Sequence, residues 1–391
     1  MRESRRLQAV QTPIIPVIAE MIREKPGTIS LGQGVVHYAP PPQAMAAIAA
    51  FGADPANHKY QAAAGLPELV AALTQKLAAE NGVAVGQSHG NRLMVTAGGN
   101  QAFFNVALAI LDPGDEVILP TPFYFNHEMA IAMANARVVL APTDRNYRLD
   151  LDALRAAITP RTRAIVTVSP NNPSGVVYPE SDLRAVNNLC AAHGLYHIND
   201  EAYEYFTYDD ARHFSPASAP GAAAHTISLY SMSKAYGFAS WRIGWAVYPA
   251  AIESAMTKIQ DTILICPPAI SQMAAIGALS AGRKWVATHL RALAQTRAKM
   301  RDELLMLTHE GLAETPPTQG ALYFLLRPKS GLSPLDYVTR LIRDHRVAAI
   351  PGEAFGLTQG CALRVAFGAL DATTAAEGVG RLVAGVRALA R

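Results

Sequence analysis

Lys234 stands in the segment of the chain whose residue types are best suited to chemistry. It follows Ser231 and Ser233 at the end of a β-branched and aromatic run, and Arg242 comes eight residues later. A lysine amine forms Schiff bases with carbonyl compounds, and neighbouring cations help to keep it deprotonated and reactive. Most lysines are solvated surface residues, but one placed just past a strand end enters the crevice where open α/β sheets bind ligands. The segment therefore predicts a Schiff-base lysine.

A glycine-containing motif, Val95 to Gln101, joins a strand to the start of a helix. Exposed backbone N–H groups at a helix N-terminus bind anions, and glycines let a phosphate approach them closely. The pair Gly98 and Gly99 also fits an ordinary tight turn. The motif is a candidate phosphate site that needs support from other residues.

Polar or aromatic side chains follow three further predicted strands. Tyr124 could stack on a planar ring or pack against a wall of the core. Asn172 could offer its amide to a ligand oxygen or only form a turn. A carboxylate such as Asp200 at the end of a buried strand is costly unless it is paired, and a protonated ring nitrogen would pair with it. The alternative for Asp200 is a helix N-cap, and Tyr203 could reach the same ligand.

Arg364 lies in the apolar run Leu363-Arg364-Val365-Ala366-Phe367. Arginine is rarely fully buried without a partner. Its planar fork suits a substrate carboxylate, and the alternative is an internal salt bridge. Taken together, the motifs supply an imine-forming lysine, a phosphate cradle, a stacking aromatic, an acid for a ring nitrogen and a carboxylate clamp. Pyridoxal 5′-phosphate needs this set of partners, including a lysine Schiff base and an acidic partner for its pyridinium.

Alternating strand-like and helix-like segments must position these residues. From about residue 92 the alternation predicts a mostly parallel sheet covered by helices. From about residue 281 a long helix near 284–310 leads to further strand-like runs, which predict a smaller α+β domain. We expect an N-terminal segment at 1–45 that packs with the small domain, a large cofactor-binding domain at 46–283 and a small domain at 284–391.

Composition excludes some function classes. With 34 basic and 31 acidic residues among 391, the charge is too balanced to argue for a nucleic-acid or membrane partner. No apolar run approaches the roughly 20 residues of a membrane helix. The three cysteines are far apart and lack metal-ligand spacing, so we expect reduced thiols, no metal and a cytoplasmic location.

On these motifs the chain resembles a class I/II aminotransferase of the fold type I pyridoxal-phosphate family. The motifs are Ser-x-Ser-Lys with an arginine eight residues later, Asn-Pro-Ser-Gly, Asp-x-x-Tyr and a late arginine in a strand. The resemblance covers nearly the whole chain. It implies an α/β fold in which a large domain has a mostly parallel seven-stranded sheet sandwiched by helices, beside a smaller α+β domain.

The resemblance also implies a role for each site residue. Lys234 forms the Schiff base and moves the substrate's Cα proton, Asp200 bonds the pyridine nitrogen, and Tyr124 stacks on the ring. Asn172 and Tyr203 lie near the 3′-oxygen of the cofactor. The implied phosphate ligands are Gly99, Asn100, Ser231, Ser233 and Arg242.

For the substrate, the resemblance implies that Arg364, with Asn172 and Gly34 nearby, binds the α-carboxylate. The segment Leu31–Gly34 is similar to one that closes over the substrate. Tyr60, which precedes Gly65-Leu66-Pro67-Glu68-Leu69, resembles a tyrosine that crosses a dimer interface to the partner's phosphate site. A homodimer with shared active sites is therefore implied.

The implied reaction exchanges an amino group between an L-amino acid and a 2-oxo acid in a ping-pong scheme. Some dicarboxylate-using relatives carry a cation near the phosphate loop, where this chain has the neutral Asn100. The segment Val35–Tyr38 is apolar and aromatic, and it is similar to a branch that includes aromatic amino acid and methionine aminotransferases. We expect aromatic or large neutral amino acids, with aspartate or prephenate as the alternative.

We considered three alternative functions on the basis of the sequence. A C–S β-lyase or an aminocyclopropane-carboxylate-synthase-like eliminase would use the same site residues. A nicotinamide dehydrogenase is disfavoured because Gly98-Gly99 lacks a spaced third glycine and an acidic residue at the end of the next strand. A ligand-sensing domain without catalysis is disfavoured by the intact catalytic set.

Overall fold

Thirteen strands and thirteen α-helices make up the computed structural model, which describes residues 2–390. The strands are β1 Ile29–Ser30, β2 Asn91–Thr96, β3 Glu116–Thr121, β4 Arg137–Pro142, β5 Thr162–Val168, β6 Tyr196–Asp200, β7 Thr226–Ser231, β8 Gly244–Pro249, β9 Ala313–Glu314, β10 Tyr323–Pro328, β11 Val347–Ala348, β12 Ile350–Pro351 and β13 Leu363–Ala366. The helices are α1 Arg5–Gln8, α2 Ile14–Arg23, α3 Pro42–Ala49, α4 Pro67–Lys76, α5 Gly99–Ile110, α6 Phe125–Met133, α7 Leu151–Ala156, α8 Glu180–His193, α9 Glu253–Ile263, α10 Ala269–Ser280, α11 Gly282–His309, α12 Pro334–His345 and α13 Ala372–Leu389.

The large sheet has seven strands in the order β2-β8-β7-β6-β5-β3-β4. All neighbouring strands pair in parallel except β8, which is antiparallel to both β2 and β7. Parallel strands need both faces covered, and they are accordingly rich in apolar residues. The predicted mostly parallel seven-stranded sheet is confirmed.

Helices cover both faces of this sheet because successive side chains of each strand point to opposite sides. In β5, Val166 packs in the same cluster as Phe103 of α5 and Met256 of α9. The adjacent Ile165 packs in a different cluster, with Val186 of α8. The sheet is therefore sandwiched between two helical layers, and its carboxyl-end edge stays free for ligands.

A second, antiparallel sheet follows in the order β12-β13-β10-β9. It is preceded by the long helix α11 and accompanied by α12 and α13. Strand β1, from the first 45 residues, pairs in parallel with β11, with Ile29 opposite Val347. This pairing ties the N-terminal segment to the C-terminal part of the chain. The division at residues 45 and 283 stays a prediction.

Among the described residues, no helix combines the length and the apolar character needed to cross a bilayer.

Candidate active site

The candidate active site lies where five strands of the large sheet end. Loops or helix starts that follow β2, β3, β5, β6 and β7 converge on a cavity of about 120 Å³. Carboxyl ends of parallel strands meet at one edge, which is where open α/β sheets bind ligands. All predicted cofactor residues except Tyr60 line this cavity: Gly99, Asn100, Tyr124, Asn172, Asp200, Tyr203, Ser231, Ser233, Lys234 and Arg242.

A larger cleft, of about 480 Å³, lies between α11 and the loop after Tyr203. Its acidic side chains already have partners, since Glu204 pairs with Lys76 at 2.5 Å and Glu80 accepts from the Tyr205 hydroxyl at 2.5 Å. The smaller cavity is lined by a nucleophile, an arginine and a carboxylate, and Arg364 bonds its lining residue Asn172, so the chemistry of the side chains rather than the volume identifies the site.

The phosphate cradle is built from a turn that only glycine fits. Gly98 has φ +85°, and a side chain there would collide with the guanidinium of Arg242. Gly99 then opens α5, so its N–H group is among those left free by the helix. The Ser231 hydroxyl accepts from the backbone N–H of Ser233 at 3.1 Å. Free N–H groups, two hydroxyls and one guanidinium form a donor set that suits a phosphate dianion.

Arg242 is held in place by backbone carbonyls. Its guanidinium donates to Ala239 O at 2.7 Å and to Ala97 O at 3.3 Å. Its own backbone has φ +55°, which is uncommon for a residue with a side chain. This conformation lets the chain turn from the lysine loop into β8 and brings the guanidinium back to the glycine turn.

Lys234 has an amine suited to nucleophilic attack. Its Nζ donates to Gly34 O at 2.5 Å and lies 5.7 Å from the ring centroid of Tyr203. Burial, aided by Arg364 and Arg242 and opposed by Asp200, lowers the pKa of Lys234 from 10.5 to about 8. Close to neutral pH, a usable fraction of the amine is therefore unprotonated.

Asp200 is supported by a histidine that the sequence did not reveal. Its Oδ2 lies 3.1 Å from Nε2 of His127, and its Oδ1 accepts from the backbone N–H of Ala202 at 3.0 Å. His127 is buried and stacks on Phe103 with ring centroids 4.1 Å apart. Asp200 thus has both the local backbone bond expected of a cap and a long-range partner. The only signal for His127 was its place three residues after Tyr124.

Arg364 is buried without a carboxylate partner among the described residues. It is 2% exposed, and its two terminal nitrogens donate to Asn172 Oδ1 at 2.9 Å and to Gly32 O at 2.7 Å. Its Nε is buried and has no hydrogen-bond partner within residues 2–390. A desolvated guanidinium held by neutral oxygens favours a ligand carboxylate over the alternative of an internal salt bridge.

Tyr323, a second residue that the sequence analysis missed, contacts both Tyr203 and Arg364. Its hydroxyl lies 2.6 Å from that of Tyr203, and its ring centroid lies 4.4 Å from the guanidinium carbon of Arg364. Tyr323 begins the apolar strand β10, where an aromatic residue is ordinary, so the sequence carried no signal for this contact.

Tyr124 stands at the mouth of the cavity within a polar cluster. Its hydroxyl accepts from Asn126 Nδ2 at 3.0 Å and donates to Asn100 Oδ1 at 3.4 Å. Burial raises the pKa of Tyr124 to about 12, so the hydroxyl stays neutral. The two amides and the phenol present neutral hydrogen-bonding groups.

Tyr60 is not brought to this site. Its side chain is 81% exposed on the surface of the same chain. Because its predicted role concerns the site of a partner subunit, that role stays a prediction.

Comparison with known proteins identifies the family. Residues 26–382 match the model of the family described as aminotransferase class I and II. The chain belongs to this family. It is 33% identical to the aromatic aminotransferase ISS1 of Arabidopsis thaliana, over 99% of this chain and 96% of that protein. It is 38% identical to a probable aspartate/prephenate aminotransferase of Thermus aquaticus, over 76% of each chain.

Solved structures of aminotransferases share the fold. The aspartate aminotransferase of Thermus thermophilus with maleate superposes with a TM-score of 0.88 at 31% identity, over 98% of this chain and 100% of that one. The aromatic aminotransferase of Pyrococcus horikoshii OT3 gives a TM-score of 0.86 at 30% identity, over 95% and 99% of the two chains. The aminotransferase is therefore a pyridoxal-phosphate-dependent transferase of fold type I, and the dehydrogenase and sensor alternatives are excluded.

Proposed function

We propose that this aminotransferase binds pyridoxal 5′-phosphate in the cleft around Lys234 and exchanges an amino group between an L-amino acid and a 2-oxo acid by a ping-pong mechanism. The observation that carries the proposal is the position of the Lys234 amine. The amine lies at the carboxyl edge of the sheet, where burial and the charges of Arg364, Arg242 and Asp200 act on its pKa.

The cofactor fits the donor set of the cleft. Its phosphate would be held at the glycine turn, its ring nitrogen by Asp200 with His127 behind it, and its 3′-oxygen by Asn172 and Tyr203. Tyr124 would cover the ring. The proposed phosphate ligands are Gly99, Asn100, Ser231, Ser233 and Arg242. When bound, the cofactor supplies a carbonyl carbon for amines and a ring that accepts electrons.

The protein's own groups bind the amino acid and move its protons. Arg364 binds the α-carboxylate together with Asn172, which accepts a hydrogen bond from it, and with the backbone at Gly34, which accepts from Lys234. Lys234, whose side chain lines the same cavity, would then remove the substrate's Cα proton as a general base. Burial of the lysine and the arginine strengthens both interactions, since water screens them little.

Aromatic or large neutral amino acids are the proposed substrates. Asn100 and Tyr124 offer neutral groups at the mouth of the cavity, and the chain aligns along almost its whole length with an aromatic aminotransferase. Within the segment Val35–Tyr38, the Tyr38 hydroxyl donates to Ala235 O at 3.1 Å and its ring stacks on His289. These contacts hold the segment against the lysine loop.

The alternative substrate class is aspartate or prephenate, which the similarity to the Thermus aquaticus protein supports. A panel of phenylalanine, tyrosine, methionine, alanine, aspartate and glutamate with one fixed 2-oxo acid separates the two. A higher kcat/KM for aspartate than for phenylalanine would refute the aromatic preference and leave the aminotransferase assignment intact.

We also propose a homodimer in which Tyr60 reaches the partner's phosphate site. The exposed apolar residue Ile265 lies near the Tyr60 segment, since Gln61 N donates to Sγ of the adjacent Cys266 at 3.3 Å. Exposed apolar surface of this kind is typical of subunit interfaces. The measurement that tests it is the mass of the protein in solution by light scattering.

The proposed compartment is the cytoplasm. The three cysteines are free thiols, two of them buried, as is usual in a reducing compartment.

An absorption spectrum tests the proposed cofactor chemistry. The purified protein should be yellow, with a visible band that shifts with pH and disappears when an amino acid is added without an acceptor. The Lys234→Ala variant should lack this band. A colourless wild-type protein that stays colourless after incubation with pyridoxal 5′-phosphate would contradict the proposal.

A further inference from the structure

We propose that Tyr323 is a positioning residue that couples the carboxylate-binding Arg364 to the cofactor-facing Tyr203. The inference rests on the proposed function and extends it, because it assigns a role to a residue outside the predicted set. Tyr323 begins β10 of the small sheet, whereas Tyr203 follows β6 of the large sheet.

The hydroxyl–hydroxyl contact is short and buried. The two oxygens are 2.6 Å apart, and the side chains of Tyr323 and Tyr203 are 1% and 4% exposed. The rings meet edge to face with centroids 5.6 Å apart. Water cannot replace a partner lost from such a place, so removal of one hydroxyl leaves the other without its bond.

The direction of this hydrogen bond follows from proton counting. Burial raises the pKa of both Tyr203 and Tyr323, so each keeps its single proton. If Tyr203 donates its proton to an oxygen of the cofactor, it can only accept at its own oxygen from Tyr323. A phenol that accepts a hydrogen bond becomes a stronger donor. Tyr323 therefore strengthens the bond that Tyr203 makes to the cofactor.

Arg364 connects the same tyrosine to the substrate. Its guanidinium carbon lies 4.4 Å from the Tyr323 ring centroid, within the range of a cation–π contact. Strands β10 and β13 fix this pairing, since Leu325 lies opposite Arg364 and Tyr323 opposite Ala366. The ring holds the guanidinium, and the hydroxyl of the same residue supports Tyr203.

Gly34 completes the contact. A side chain at Gly34 would collide with the Tyr323 hydroxyl. The segment whose Gly34 carbonyl accepts a hydrogen bond from Lys234 Nζ therefore packs directly on Tyr323. The charged and titratable groups around the two tyrosines are Arg364, Lys234 and Tyr124, and Asp200 in turn acts on Tyr124. All of them belong to the proposed site.

Two variants separate the roles of the hydroxyl and the ring. Tyr323→Phe removes the hydroxyl and keeps the ring over Arg364. The negative charge on the cofactor oxygen is then less stabilised, so the cofactor holds its proton more tightly. The midpoint of the pH titration of the visible band should rise by about 0.5 to 1 unit, or roughly three- to tenfold in proton affinity. KM for phenylalanine and for alanine should stay within about twofold.

Tyr323→Leu removes the ring as well. We expect the same rise in the midpoint together with an increase of about fivefold in KM for both amino acids, because Arg364 loses its ring contact. Tyr208→Phe is the matched control. It also removes a buried tyrosine hydroxyl, which donates to Ala321 O at 3.1 Å, and it should lower the melting temperature without moving the midpoint.

A double-mutant cycle separates the coupling between the two hydroxyls from any general effect of the substitutions on folding. In a Tyr203→Phe background, Tyr323→Phe should cause no further shift of the midpoint, because its partner is already gone. An unchanged midpoint in Tyr323→Phe, or shifts that simply add in the double variant, would overturn the coupling. A wild-type protein without a visible band would instead overturn the proposed function.

Discussion

His127, which is buried, pairs with the partly buried Asp200, with Nε2 of the histidine 3.1 Å from Oδ2 of the aspartate. The pair joins α6 to the end of β6, and Phe103 stacks on the other side of the imidazole. A carboxylate held in this way has one defined orientation toward the cavity. Since Asp200 is the proposed partner of the cofactor's ring nitrogen, its rigidity bears directly on catalysis.

His127→Phe should lower kcat/KM about tenfold, or about 1.4 kcal/mol in barrier. Phenylalanine keeps the stacking on Phe103 but cannot bond Asp200. His127→Gln, which retains a donor, should recover part of the loss. Steady-state kinetics on both variants provide the check, and equal activity of wild type and His127→Phe would show that Asp200 needs no such support.

Cofactor uptake should depend on pH through Lys234. Burial lowers the pKa of its amine to about 8, and only the neutral amine attacks a carbonyl. The rate at which cofactor-free protein develops the visible band should therefore rise about tenfold between roughly pH 7 and pH 9. Stopped-flow absorbance measures this rate. The Lys234→Ala variant is the control, because it should form no band and catalyse no turnover.

Gly98→Ala should weaken cofactor binding at least tenfold. A side chain there meets Arg242 and also forces a left-handed backbone at φ +85° on alanine. Gly90→Ala is the matched control, since Gly90 has φ +76° and its nearest neighbour is 4.0 Å away. It should show only the backbone cost of about 1 kcal/mol in unfolding free energy. Equilibrium titration with pyridoxal 5′-phosphate compares the two.

Arg364→Lys should raise KM for every amino acid, since lysine cannot reproduce the two-pronged contact with a carboxylate. We expect a loss of about 2 kcal/mol, or roughly thirtyfold in kcat/KM. The order of preference among amino acids should barely change. If the variant loses activity only with aspartate and glutamate as substrates, Arg364 binds a side-chain carboxylate instead of the α-carboxylate.

Tyr60 should act on the partner's site. A severely impaired Tyr60 variant and the inactive Lys234→Ala variant, once mixed and allowed to exchange subunits, should recover activity because each heterodimer has one intact site. Native mass spectrometry verifies the exchange. Heterodimers that form without any gain in activity would contradict shared sites.

Much of the fold and of the site followed from the sequence alone, because the relevant signals are local. The strands β2 to β8 are short apolar runs, most of them separated by helical patterns, and the motifs proposed to hold the cofactor lie where such runs end. Residues on one continuous stretch, such as Ser231, Ser233 and Lys234, keep their spacing whatever the rest of the chain does. Once the sheet is parallel, its carboxyl ends must meet at one edge.

Other features were decided only by tertiary packing. Lys234 lies 200 positions from its acceptor at Gly34, Arg364 lies 192 from Asn172, and Tyr203 lies 120 from Tyr323. No local pattern encodes such contacts, because they depend on strand register and on how the two sheets and the N-terminal segment pack together. The lowered pKa of Lys234 has the same origin, since burial and two distant arginines cause it. The sequence determined which groups the site contains, and the tertiary structure decided which of them touch.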